Sequence, residues 1–155
     1  MQIIKDINGL EWKIDLNLYT AKALSQYLES LAPPVNLFDA ASFMPRASSI
    51  LFAVDCLAVL TYDERKERGI SDVEFGKALK GEYAYNAERA LLSEYCLFFP
   101  DPNLSQTLQQ SLKRLEEISL KEQAIVEGVL IQAITEREKL VDSLAKEIGG
   151  DISSN

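Results

Sequence analysis

Histidine is absent from this chain, and that absence removes a large part of enzyme chemistry. Ser-His and Cys-His nucleophile pairs need an imidazole, as do most zinc and iron sites. Cysteine is scarce: Cys56 and Cys96 do not form a CxxC pair, and each sits in an apolar, helix-like stretch. That placement predicts two buried free thiols in a reducing compartment, with a disulfide between them as the lesser alternative. The seven glycines include no GxxxxGK[ST], no GxGxxG after a strand and no GxSxG elbow. Basic residues are outnumbered, 16 against 24 acidic, for a net charge of -8 split evenly between residues 1–100 and 101–155. Such a surface repels phosphate backbones, so nucleic acid is not an expected partner. Long apolar runs are missing as well. The longest, Ile50 to Leu60, is interrupted by Asp55 and is too short to cross a bilayer. Met1 leads straight into strand-like sequence and not into a signal peptide, which predicts a cytoplasmic protein with no membrane contact. Carboxylate, lysine or tyrosine chemistry and an all-carboxylate magnesium site survive these exclusions. No motif assembles any of them, so we expect no catalytic residue, no metal and no cofactor.

The 47% of apolar residues in 155 suffices for one ordinary core. Leu10, Trp12, Ile14 and Leu16 alternate with Glu11, Lys13 and Asp15, the period of a half-buried strand. Ile3-Ile4 and the Asn8-Gly9 turn signal before it predict a β-hairpin. Its register has two candidates: a tight Asn8-Gly9 turn pairing Ile7 with Leu10, or an Asp6–Gly9 loop bringing Ile3 opposite Trp12. Leu24, Leu28 and Leu31 predict a first helix over 18–31, capped by Asn17 and ended by Pro33-Pro34. A helical turn near Asp39 precedes a helix opened by Pro45, which carries Ile50, Leu51, Val54, Leu57 and Leu60 into a charged run, Asp63–Arg68, before Gly69. Ser71-Asp72-Val73-Glu74 is a capping box for a short helix with Phe75 and Leu79, closed by Gly81. A helix over 83–98 follows, stopped by Pro100. From Pro102 to about Ile148 nothing forces a break, although a bend near Ser119 is open. The expected fold is mainly α (α+β): residues 1–100 a hairpin on a helical core, 101–148 a C-terminal helical extension of the same domain, 149–155 a flexible tail.

The charged run Asp63–Arg68 is expected to be a solvated helix end. Phe98-Phe99 is expected to be the buried end of a helix. Ala124 to Ile134 is the most informative stretch, because its apolar residues cover more than one helix face. Such a segment is either buried in its own domain or binds something, another copy or a partner helix. Gly128 would allow close backbone approach there. No strict heptad persists, which argues against a coiled coil. The candidate protein-binding residues are Leu108, Leu112 and Leu115 in the Leu104–Leu115 stripe, with Ile125, Val126, Val129, Leu130 and Ile134.

Three features together resemble a family of small phage and prophage proteins regarded as tail assembly chaperones or accessory tail proteins. They are Asp6-Ile7-Asn8-Gly9-Leu10-Glu11-Trp12-Lys13-Ile14, the apolar helix Ile50–Leu60, and Gly69-Ile70-Ser71-Asp72-Val73-Glu74-Phe75-Gly76 followed by a helix ending in Phe98-Phe99-Pro100. The resemblance covers about two thirds of the chain. Leu10 and Glu11 stand where the family often has a basic residue, and 101–155 matches least. The resemblance implies binding of the tape measure protein, a very long helical chain, or of another tail protein during tail morphogenesis in the host cytoplasm. It implies no cofactor. A virion component, such as a tail-completion or connector subunit, is the alternative, and self-association is compatible with either.

Overall fold

The computed structural model describes residues 1–99 and 101–151, the last of these as backbone only at 145 and 147–151. The elements are β1 (Gln2–Lys5), β2 (Glu11–Ile14), α1 (Leu18–Glu29), α2 (Ala40–Ala47), α3 (Ile50–Leu60), α4 (Tyr62–Arg68), α5 (Asp72–Ala78), α6 (Glu82–Phe98) and α7 (Pro102–Asp151). This is the expected mainly α (α+β) class. The chain divides into two compact units, Met1–Leu112 and Lys113–Asn155.

The hairpin takes neither of the two expected registers. Ile4 stands opposite Trp12 and Lys5 opposite Glu11, leaving Asp6–Leu10 as the loop. The reason is the side chain of Asp6, buried inside that loop. Its Oδ1 accepts the N–H groups of Asn8 (2.8 Å) and Leu10 (3.1 Å), and its Oδ2 accepts the Trp12 indole N–H (3.0 Å). A carboxylate that satisfies three donors outweighs a two-residue turn, and Gly9 supplies the positive φ (78°) that closes the loop. The register places Ile4, Trp12 and Ile14 on the core side and leaves Ile3 exposed.

Local signals determine most helix starts. Asn17 accepts the N–H groups of Tyr19 and Thr20, and Ser71 and Glu74 form the expected reciprocal box. Asp39 caps α2, so Pro45 lies inside that helix and does not open the next one. The expected single helix through the charged run is instead α3 and α4, which meet at Thr61, whose hydroxyl donates to the Leu57 carbonyl. Gly69 ends α4 at φ 66°. Gly81 precedes α6 at φ 59°, serving as the N-cap of that helix.

In unit 1, α3 packs against α1, α2, α5 and α6, and β1 lies along α6. The core gathers Trp12, Phe43, Phe75 and Tyr95 with the leucines of α1, α3 and α6. Phe43 stacks on Tyr95 at 4.4 Å, Phe99 meets Tyr95 edge-on at 5.1 Å, and Phe98 lies near Phe38 and Phe99. Both phenylalanines at the end of α6 are half-buried against the core, short of the full burial expected. Cys56 and Cys96 are buried free thiols.

The charged run is the expected solvated helix end except at Arg65. Arg65 is 3% exposed. Its guanidinium donates to the carbonyls of Ala58 (2.6 Å) and Ile70 (3.4 Å), pairs with Asp72 at 2.5 Å, and lies over the Phe75 ring. Arg68 covers the Trp12 indole at 4.7 Å while pairing with Glu64, which also accepts the Lys13 N–H. These two arginines fasten α4 to the hairpin and α5.

Unit 2 is the remainder of α7. The helix runs without a break past Ser119 and continues to Asp151, beyond the expected end at Ile148. Pro100, expected to stop α6, the side chain of Ile148 and the tail 152–155 lie outside the described residues.

Candidate protein-binding surface

The eight residues singled out by pattern separate into two groups. Leu108 and Leu112 belong to the core of unit 1, at 9% and 8% exposure. They are not available to a partner, because the first turns of α7 are part of that core. The Ser105 hydroxyl, donating to the Cys96 carbonyl at 2.7 Å, ties those turns to α6. Leu115, Ile125, Val126, Val129, Leu130 and Ile134 are all exposed, each more than half. The choice between core and surface for Ala124–Ile134 is thus resolved toward surface.

Pattern reading also missed members of this surface. Ile118 and Leu120 are exposed where the leucine stripe drifts. Ile131 and Leu140 extend it, together with Val141 and Leu144, whose helical spacing after Val126 and Leu130 was legible in the sequence. The signal was available in the sequence. Among the described residues, unit 2 contains no second element against which 113–151 could bury an apolar face. A water-exposed helix carrying this many large aliphatic side chains is unusual, since contiguous apolar patches on soluble chains are small unless they bind. Gly128 has no heavy atom within 4 Å of where a Cβ would stand, so nothing in the chain itself requires glycine there.

Unit 1 carries a concavity of about 390 Å³ beside α1, α3 and α4, lined by Tyr19, Tyr27, Val54, Asp55, Arg65 and Asp72, among others. Burial, with the Asp55 carboxylate second, raises the Tyr27 hydroxyl above its ordinary value. The Cys56 thiol is pushed up to about 12 by burial and then by Asp55, and burial pushes Cys96 up to about 11. Neither thiol supplies a thiolate near neutral pH. Glu88 is raised by burial, offset in part by Arg89. Among the described residues no three carboxylates or thiols come together in a metal-binding group. No single described helix is long and apolar enough to cross a membrane.

Comparison with protein-family models, curated proteins and solved structures finds no match to this chain.

Proposed function

We propose that this protein is a tail assembly chaperone that binds the tape measure protein, or another helical tail protein, in the host cytoplasm during phage tail morphogenesis. The observation that carries the reading is the exposed aliphatic surface of Leu115 and Ile125–Ile134 on a long helix. A helical client offers apolar residues at i, i+3, i+4 and i+7, and such a surface accepts them by the same spacing. The net charge of -8 supports the reading too, because it keeps a complex with a sticky client dispersed. The hairpin, the Ile50–Leu60 helix and the capping-box helix support it by resemblance.

Co-expression with the tape measure protein of the same phage tests the proposal. The client is expected to stay soluble and to co-purify with the chain. Leu130→Glu should abolish capture while near-UV circular dichroism of the unit 1 aromatics is unchanged. Unchanged capture by Leu130→Glu would remove α7 as the binding surface. Mass spectrometry of finished particles separates the chaperone from a virion component, since a chaperone is absent from them.

A further inference from the structure

The exposed stripe of α7 is nearly symmetric about its own middle. From Leu115 it runs through Ile118, Glu122, Val126, Val129-Leu130, Ala133, Arg137 and Val141 to Leu144, with steps of three or four residues on either side of the adjacent central pair Val129-Leu130. On an ideal helix these positions fall within an arc of about 140°. Reversing the direction of the helix maps these positions onto one another: Leu115 onto Leu144, Ile118 onto Val141, Glu122 onto Arg137, Val126 onto Ala133 and Val129 onto Leu130; of the other residues in the same arc, Leu140 maps onto Ser119 and Glu136 onto Gln123. The period is about 3.6 residues per turn, that of a straight helix, so two such helices stay face to face without heptads or supercoiling.

Two charges, each about midway between the centre of the stripe and one end, choose the orientation. Glu122 has Ile118, Ser119, Ile125 and Val126 at helical spacing, and Arg137 has Ala133, Ile134, Leu140 and Val141. No ion pair involves either among the described residues. Glu136, at the margin of the stripe, is already engaged by the Gln132 amide at 3.2 Å. In an antiparallel pair each Glu122 faces an Arg137, twice per dimer. In a parallel, in-register pair Glu122 faces Glu122 and Arg137 faces Arg137. A charge embedded in an apolar seam sets register and orientation in this way, because a mismatch buries it unpaired.

We infer that the occupant of this stripe is a second copy of the chain, paired antiparallel about Val129-Leu130 with reciprocal Glu122–Arg137 contacts. The inference rests on the proposed function only in taking α7 as a helix-binding surface. It adds what covers the stripe before a client arrives. Leu120 and Ile131, on the opposite face, remain uncovered by this pairing.

Sedimentation velocity of the full chain at micromolar concentration tests it without a client. The wild type is expected to be a dimer. Glu122→Arg alone and Arg137→Glu alone should each weaken it at least tenfold, with helicity of the chain retained. Mixing the two variants should restore dimers, as should combining both changes in one chain. Under mild oxidation, Leu115→Cys and Leu144→Cys chains should form a disulfide only when mixed. A monomeric wild type, single reversals without effect, or a disulfide in Leu115→Cys alone would overturn the inference. Client capture by co-expression is read separately, so a chain that is monomeric yet captures client rejects the pairing and keeps the chaperone, and a dimer that captures nothing does the reverse.

Discussion

Tyr95 shows how closely single side chains specify unit 1. Its ring is buried against Phe43 and Phe99, and its hydroxyl donates to the Leu37 carbonyl at 2.9 Å. Tyr95→Phe keeps the ring and strands a buried acceptor, which costs about 1–3 kcal/mol. The expected result in denaturant titration is a lower midpoint with an unchanged slope. Arg65 is the harder residue to foresee. A guanidinium inside Asp63–Arg68 reads as solvated, because nothing local reveals that the Ala58 and Ile70 carbonyls will be turned toward it. Asp6 was equally hidden: an aspartate before Asn-Gly signals a turn, but not that its second oxygen will take the Trp12 indole. The thiols were readable, since Cys56 and Cys96 sit in apolar runs. With their folded values raised to about 12 and about 11, they stay neutral in the native state while the unfolded chain ionises near 9. Their contribution to stability is therefore fully present below pH 9 and is lost as pH rises toward 11–12. A thiol reagent at pH 8 should label neither cysteine in the native protein and both after denaturation.

At the scale of elements, what a few adjacent residues decide was readable and what distant packing decides was not. Asn17, Ser71 and the glycines at 69 and 81 mark boundaries because caps and positive φ are local needs. The start of α2 belongs with these, since Asp39 caps it, whereas the hairpin register and the break at Thr61 carried no such signal. In α7 the periodicity showed a helix but could not say which part was core, since buried and partner-seeking stripes have the same spacing. Leu108 and Leu112 therefore looked like Leu115. Gly128 supplies a prediction at this scale. It stands mid-helix with open space where a Cβ would go. Gly128→Ala should stabilise that part of α7 by about 0.5–1 kcal/mol, raising helical ellipticity and slowing amide exchange around it. Reduced client capture by the same variant would mark Gly128 as the point where a partner backbone approaches.

For the whole molecule, the division after Leu112 makes a claim that the division expected at residue 100 does not. Leu108 and Leu112 are buried with the α6 side chains in one core, so unit 1 is incomplete without the first turns of α7. A buried leucine contributes about 1.5–3 kcal/mol through the apolar surface it removes from water. Two of them amount to a large fraction of the stability of an ordinary domain, about 5–15 kcal/mol. A chain of residues 1–112 should accordingly unfold in one cooperative thermal transition and keep the near-UV signature of Trp12 and Tyr95. A chain of residues 1–100 should melt many degrees lower or without a cooperative transition. Equal melting temperatures for the two would show that the α7 leucines add nothing to the core. If the longer piece folds and the shorter fails, the first turns of α7 serve the fold, and the exposed stripe from Leu115 onward is free to serve binding.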